Sequence, residues 1–223
     1  MDSGSNLPTF LTGDGSVTIF DRLTGEHYHS VFGAITESTH IFIKNGICHC
    51  NKEDISIIEV GFGSGLNVFL TLIEAEITGK SIIYHSTEKY PISRELAGKL
   101  NYTSFFDEKY ADYFNTIHEI PWDTEVQITD HFTLKKIFGD VTCMRFTKKY
   151  DVVYFDAFSP EKQQELWTEE MFRKIFNTMS EGGVLSTYCA KGNVKRAMKK
   201  AGFQTFIVPG PPGKRHIVRA IKP

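Results

Sequence analysis

The sequence predicts an α/β protein with a mostly parallel sheet, and three features of the chain support this class. Strand-like and helix-like stretches alternate from residue 55 onward, the order that builds a parallel sheet covered by helices. Residues 152–155 are four apolar side chains in succession, as expected of a central strand buried on both faces. Two strand-like stretches at 203–208 and 216–221 pair as a closing hairpin, which adds an antiparallel strand.

Hydrophobic spacing and turn residues define the elements. Residues 1–50 are predicted to form a small N-terminal extension with a strand or hairpin at about 15–30, and the pattern of 33–44 fits either a helix or a strand. Residues 51–223 are predicted to form the main domain. Its predicted strands are 55–60, 81–85, 125–128, 134–138, 150–155, 183–189, 203–208 and 216–221. Its predicted helices are 66–77, 91–100, 107–119, 166–179 and 194–201.

Composition excludes several classes of protein. Of the 223 residues, 41% are hydrophobic and 23% are charged, which is typical of a folded globular chain. No stretch approaches the roughly 18 consecutive apolar residues of a membrane span, and no export signal is recognised. The four cysteines lack a disulfide-framework spacing, so we expect a cytoplasmic protein without membrane attachment. The Cys48-His49-Cys50 run lacks the second ligand pair of a structural zinc site, so no metal is predicted.

Charge is distributed unevenly along the chain. Residues 190–223 carry nine Lys or Arg and no Asp or Glu, whereas the first 189 residues carry 16 basic and 27 acidic side chains. A basic block is typical of phosphate contact, although Lys195, Lys199 and Lys200 fit a solvated helix face equally well. The side chains predicted to contact phosphates are Lys191, Arg196, Lys214 and Arg215.

Three glycines, Gly61, Gly63 and Gly65, join the first predicted strand of the main domain to the helix that follows it. Glycine permits positive φ, and the helix N-terminus offers free N–H groups to an anionic group of a ligand. A nucleotide phosphate loop would continue with Gly-Lys-Ser/Thr, and a dinucleotide loop needs its third glycine one residue later. Neither pattern fits, and the Gly-x-Gly-x-Gly spacing is associated instead with S-adenosylmethionine.

Acidic residues follow the next predicted strands. Glu88 comes just after the strand at 81–85, where a carboxylate accepts hydrogen bonds from ribose hydroxyls, and Asp140 is placed to accept one from an adenine amino group. Asp156 ends the strand at 150–155, next to the point where a methyl group would be transferred. Asp140 also fits a helix cap or a surface acid. Because parallel strands end at one edge of the sheet, these acids and the glycine loop together predict an S-adenosylmethionine pocket.

A set of motifs carries a more specific resemblance. In this order along the chain, they resemble the methyltransferase domain of the bacterial bifunctional enzyme that completes 5-methylaminomethyl-2-thiouridine at the tRNA wobble position. The resemblance covers about residues 8–220. The motifs are Tyr28-His29-Ser30, Gly33 with Glu37-Ser38, EVGFGSGLN at 59–67, EKYP at 88–91, DAFSP at 156–160, ELWT at 165–168, TYCAKG at 187–192 and GKR at 213–215.

The resemblance implies a fold, a reaction and partners. The fold is the Rossmann-like class I methyltransferase fold, a mostly parallel seven-stranded sheet with one antiparallel strand. The reaction is methylation of the 5-aminomethyl nitrogen of the wobble uridine of tRNA, with S-adenosylmethionine as cofactor. The chain is expected to be the stand-alone form of this domain, and a separate FAD-dependent oxidase of the same pathway is a further expected partner. Gln163-Gln164 departs from the Asn-Pro of the best-known members.

The sequence predicts Asp156 as the catalytic residue that accepts the N–H of the amine. For Phe158 and Trp167, helix–sheet core packing is an equally good interpretation, and His29 fits a structural role. The predicted cofactor-binding residues are Glu59, Gly61, Phe62, Gly63, Gly65, Asn67, Glu88, Lys89, Asp140 and Asp156. The predicted substrate-binding residues are Tyr28, His29, Phe158, Lys162, Trp167, Lys191, Arg196, Lys214 and Arg215.

Two other functions fit parts of the pattern. An aminopropyltransferase of the spermidine-synthase kind uses a related fold and a decarboxylated form of the same cofactor. Its glycine loop carries a central Asp, which is absent here, and it lacks the GKR motif. A non-catalytic RNA-binding module that has kept the fold is the third interpretation.

Overall fold

A computed structural model describes residues 7–223, so residues 1–6 of the predicted N-terminal extension lie outside the described part. Strands β1 (Thr9–Leu11), β2 (Val17–Asp21) and β3 (Glu26–His27) form a small antiparallel sheet. Helix α1 (Ala34–Ser38) continues as a π-helix over Thr39–Lys44, and a 3₁₀ turn spans Ile47–His49. Residues 34–44, which the sequence pattern left open, are therefore helical.

The main sheet has eight strands. Their bounds are β4 Asp54–Val60, β5 Ser81–Glu88, β6 Glu125–Thr129, β7 Phe132–Phe138, β8 Tyr150–Phe155, β9 Met179–Thr187, β10 Gln204–Pro209 and β11 His216–Ile221. The spatial order is β10-β11-β9-β8-β4-β5-β7-β6. Neighbouring strands from β9 to β7 pair in parallel, whereas β11 and β6 run antiparallel to their neighbours.

The α/β class and the mostly parallel sheet are confirmed, but the sheet has one strand and one antiparallel member more than the seven-stranded expectation. The addition is β6 at the edge of the sheet. Only two residues separate β6 from β7. Such a short connection forces a hairpin, because a parallel pairing needs a crossover of a dozen or more residues.

The five α-helices of the main domain are shorter than or close to their predicted lengths. Their bounds are α2 Leu66–Thr78, α3 Arg94–Ala97, α4 Ala111–Glu119, α5 Glu169–Thr178 and α6 Gly192–Ala201. The helix predicted from Leu166 begins at Glu169 instead, because the Thr168 hydroxyl caps it by accepting from Met171 N–H. A 3₁₀ turn, Gln164–Trp167, precedes it.

Alternate side chains of the central strands point into two separate cores. In β8, Val152 and Tyr154 pack with α2, α4 and the N-terminal extension, whereas Val153 and Phe155 pack with α5 and α6. The chain runs outward from β4 through β5 to β7 and then returns to β8, so strand order reverses between β4 and β8. In open α/β sheets a ligand crevice lies at this point, outside the carboxyl ends of the strands.

Candidate active site

A cavity of about 730 Å³ opens where strand order reverses. The loops after β4, β5, β7 and β8 form one side, and residues 21–37 of the N-terminal extension form the other. Twelve predicted site residues lie in its wall. They are Tyr28, His29, Gly61, Phe62, Gly63, Glu88, Lys89, Asp140, Asp156, Phe158, Lys162 and Lys214.

The glycine loop has the shape of a cradle for a ligand. Gly61, Gly63 and Gly65 have φ of +95°, +52° and +75°, a region that side chains disfavour. A Cβ on Gly61 would lie 2.7 Å from the carbonyl oxygen of Asp156, and one on Gly63 would lie 3.2 Å from the Tyr28 ring. Gly65 lies outside the cavity wall and forms the N-cap of α2. The bare backbone fits the close approach of a ligand, as S-adenosylmethionine requires.

Ser64 anchors the glycine loop from behind. Its Oγ lies 2.7 Å from His29 Nε2 and accepts a hydrogen bond from the Tyr102 hydroxyl at 3.3 Å. Burial lowers the pKa of His29 to about 4, so the ring is neutral at physiological pH. His29 therefore holds the loop in position, in line with the structural interpretation of its sequence context.

Two carboxylates stand at the solvent-facing rim of the cavity. Glu88 accepts hydrogen bonds from the N–H groups of Gly63, at 3.0 Å, and Tyr90, at 2.8 Å. Asp140 accepts the Thr142 hydroxyl at 2.6 Å and pairs with Lys89 at 2.9 Å, and these contacts lower its pKa to about 2. Asp140 is thus a permanently ionised acceptor at the rim.

The floor of the cavity holds a carboxylate of a different kind. Asp156 faces the cavity but is enclosed by protein, and this burial raises its pKa to about 7. Asn67 Nδ2 donates to Asp156 Oδ2 at 2.8 Å and to Glu59 Oε1 at 2.9 Å. The Ser86 hydroxyl donates to the second Glu59 oxygen at 2.5 Å. Burial raises the pKa of Glu59 to about 8, so Glu59 is mostly protonated at neutral pH.

Glu59 and Asn67 correct the prediction of direct cofactor contact. Both are almost fully buried and neither lines the cavity. Asn67 Nδ2 donates to Glu59 and Asp156 beneath the loop, and Ser86 donates to the second Glu59 oxygen. Their place is behind Asp156, where Asn67 fixes one carboxylate oxygen. Asp156 Oδ1 remains available to accept a hydrogen bond from a ligand.

Trp167 likewise lies behind the wall rather than in it. Its ring is 5% exposed and packs edge-on against Phe155 at 5.0 Å between ring centroids. Its indole N–H donates to the carbonyl of Phe158 at 2.8 Å, which fixes the loop that carries the Phe158 ring. The core interpretation therefore holds for Trp167. Phe158 lines the cavity and meets Tyr28 edge-on at 5.2 Å.

Three cavity residues escaped the sequence-based prediction of roles. Glu26 accepts hydrogen bonds from the N–H and hydroxyl of Ser159 and so ties the extension to the loop after β8. Tyr188 donates its hydroxyl to the Ala157 carbonyl at 2.8 Å. Glu37 belongs to α1. The only available signal was the presence of Glu37 and Tyr188 in the quoted motifs, which gave them no role.

The predicted basic contacts lie around the mouth of the cavity, with one exception. Lys214 Nζ lies 3.2 Å from Glu37 Oε1 and 5.0 Å from the centroid of the Tyr188 ring. A smaller depression of about 400 Å³ adjoins the cavity and is lined by Lys191, Lys214 and Arg215. Arg196 lies on the exposed face of α6, away from both. The structure thus gathers three of the four predicted phosphate contacts.

No helix within residues 7–223 has the length and apolar character to cross a membrane. No group of three or more His, Cys, Asp or Glu in the same range is arranged to hold a metal ion.

Comparison with known proteins defines the class. The family described as S-adenosyl-L-methionine-dependent methyltransferase matches residues 101–223, which is more than half of the chain. The chain therefore belongs to the S-adenosylmethionine-dependent methyltransferases, and the predictions of this class and of this cofactor are confirmed.

More specific relatives share nearly the whole chain. The tRNA 5-methylaminomethyl-2-thiouridine biosynthesis bifunctional protein MnmC of Cupriavidus metallidurans is 29% identical over 94% of this chain, and that of Burkholderia thailandensis is 30% identical over 94%. The chain spans only about a third of the length of these curated relatives, 33% and 34% respectively.

Two solved structures are also similar. The crystal structure of MNMC2 from Aquifex aeolicus matches with a TM-score of 0.82 and 27% identity, over 97% of this chain and 70% of that one. A spermidine synthase from Thermotoga maritima matches with a TM-score of 0.58 and 15% identity, over 98% of this chain and 71% of that one, a likeness of fold alone.

Proposed function

We propose that this protein transfers a methyl group to the 5-aminomethyl nitrogen of the wobble uridine, or 2-thiouridine, of tRNA. One observation carries the proposal: a glycine cradle with a rim of carboxylates meets a half-buried carboxylate of raised pKa, Asp156, in one cavity. The similarity to relatives named for 5-methylaminomethyl-2-thiouridine biosynthesis over 94% of the chain supports the choice of substrate. Residues 51–223 form the catalytic domain in this proposal.

The cofactor is held by the glycine loop and by the rim. The glycine loop offers bare backbone against which the cofactor can lie, Glu88 suits the ribose hydroxyls, and Asp140 with Lys89 suits the edge of the adenine. When bound, S-adenosylmethionine supplies a methyl group whose bond to sulfur breaks as the nitrogen lone pair forms the new bond, with the electron pair staying on sulfur.

Asp156 prepares the amine. An alkylammonium has no lone pair, so the amine must bind in its neutral form, with its proton left to solvent. An ionised Asp156 accepts an N–H of the amine, orients the lone pair and takes up a proton after transfer. With a pKa of about 7, this carboxylate is a stronger base than an ordinary Asp and is still about half ionised near neutrality.

The mouth of the cavity is suited to a single-stranded nucleotide. Tyr28 and Phe158 offer aromatic surface to an unstacked base, and Lys162 lies in the same wall. Lys191, Lys214 and Arg215 offer cations to the flanking phosphates, and Arg196 extends this surface along α6. We place the reaction in the cytoplasm, which fits four cysteines that form no disulfide.

The test combines the protein, isotope-labelled S-adenosylmethionine and tRNA from a strain that lacks this methyl group. Nucleoside mass analysis should show the 5-aminomethyl uridine gaining the mass of one CH₂, and the D156N variant is the control. Turnover with decarboxylated S-adenosylmethionine and putrescine instead would establish the aminopropyltransferase. Cofactor binding without methylation of any tRNA would indicate a non-catalytic module.

A further inference from the structure

Glu37 is a second carboxylate in the cavity wall, contributed by the N-terminal extension. Its side chain is 10% exposed, and Oε2 accepts the N–H of Ser30 at 2.7 Å. Oε1 is buried and accepts no hydrogen bond, although Lys214 Nζ lies 3.2 Å away. A carboxylate oxygen has two lone pairs, so Oε1 has unused capacity to accept an N–H from a ligand.

Glu37 and Asp156 act on the same space. Both line the cavity, and the charge of Glu37 contributes to the raised pKa of Asp156. The two residues come from different elements, Glu37 from α1 and Asp156 from the residue that follows β8. Two carboxylate acceptors that line one cavity fit a ligand nitrogen that carries two N–H donors.

We propose that Glu37 is the second N–H acceptor of the substrate amine, and that the Glu37–Asp156 pair makes the site selective for primary amines. This inference rests on the proposed function. A neutral primary amine has two N–H groups and one lone pair. When each carboxylate accepts one N–H, the lone pair is left free for the methyl group.

The same arrangement limits the reaction to one methyl group. Transfer to the primary amine gives a secondary ammonium, which releases a proton to Asp156 and becomes a secondary amine with a single N–H. If this amine bound for a second transfer, its methyl group would face one of the two buried carboxylates and leave it without a donor. A site built to hydrogen-bond a donor rejects an analogue that lacks it, because the buried acceptor is then unpaired.

The experiment measures kcat/KM for tRNA carrying the primary 5-aminomethyl group and for tRNA carrying the methylated, secondary amine. The variants are E37A, which removes the acceptor, and E37Q, which keeps the volume and one oxygen. K214M is the matched control, because it removes the ion pair and leaves the Glu37 carboxylate in place. Mass analysis of the nucleosides reports any second methyl group.

The ratio of the two kcat/KM values, primary over secondary, should fall about tenfold or more in E37A. It should fall by a smaller factor in E37Q, which also serves as the test if the alanine variant does not fold. In K214M, activity on both tRNAs should fall together and the ratio should stay that of the wild type.

An unchanged ratio in active E37A would overturn this inference and leave the proposed function standing. A K214M ratio that falls as far as the E37A ratio would also overturn it, because Glu37 would then act only by holding Lys214. If the wild-type protein methylates no tRNA, the proposed function fails and this inference fails with it.

Discussion

The rim and the floor of the cavity use the same chemical group in opposite ways. At the rim, Asp140 is partly solvated and hydrogen-bonded, and its pKa is lowered to about 2. On the floor, burial raises the pKa of Asp156 to about 7 and that of Glu59 behind it to about 8. All three residues lie at or near the carboxyl ends of parallel strands. Enclosure by neighbouring residues, more than position in the sheet, therefore sets the pKa of each acid. We infer that the acid of low pKa holds a ligand and the acid of raised pKa handles a proton.

The largest expected effect on turnover comes from replacing Asp156 on the floor of the cavity. D156N keeps the shape of the side chain but loses the anionic acceptor, so turnover of tRNA should fall about 100- to 10,000-fold. Affinity for S-adenosylhomocysteine should stay close to that of the wild type. Single-turnover methylation and calorimetry measure the two quantities, and turnover within a few-fold of wild type would refute the role of Asp156.

Substitutions at the rim should lower cofactor affinity and leave turnover nearly unchanged, the reverse of the effects expected for D156N. E88A removes the side-chain acceptor proposed for the ribose hydroxyls, so cofactor affinity should fall about 10- to 100-fold, while kcat at saturating cofactor changes little. D140A is the comparison variant and should weaken binding less, because Asp140 is already paired with Lys89. If E88A lowered kcat as much as D156N does, the separate roles of the rim in cofactor binding and of the floor in turnover would be contradicted.

Asn67 donates hydrogen bonds both to Asp156 on the floor of the cavity and to Glu59 behind it. Its hydrogen bond stabilises the charged form of Asp156, so N67A should raise the pKa of Asp156 further. The limb of the pH–rate profile near pH 7 should move to higher pH, and kcat at neutral pH should fall about tenfold. An unchanged profile with lower protein stability would instead assign Asn67 a purely structural role.

The smallest expected effect on turnover is that of E59Q, which should stay active at pH 7 because Glu59 is mostly protonated there. Its effect is on stability. The pKa of Glu59 is raised from 4.5 to about 8, so its contribution is fully present below about pH 4.5 and is lost as pH rises through 8.

Wild-type protein should therefore lose stability relative to E59Q by at most about 1.4 kcal/mol per pH unit across this window. Urea unfolding of both proteins at pH 5 and pH 8 measures the difference. A difference that does not depend on pH would mean that Glu59 titrates normally.

The convergence of Glu88, Asp140 and Asp156 on one cavity could be predicted from the sequence, because successive parallel strands end at one edge of the sheet. The contacts of Glu26 and Glu37 could not, since they join the small sheet and α1 of the N-terminal extension to loops more than a hundred residues away. Local patterns contain no information about such pairings. Trp167 and Glu59 stand next to cavity residues in the sequence, but their side chains point behind the wall.

The most direct test of the contrast between rim and floor is a ¹³C carboxyl titration by NMR of the protein bound to S-adenosylhomocysteine, with D156N and D140N assigning the two resonances. We expect Asp156 to titrate near pH 7 and Asp140 to remain ionised down to about pH 2. Two carboxyls that both titrate near the ordinary value of about 4 would contradict it.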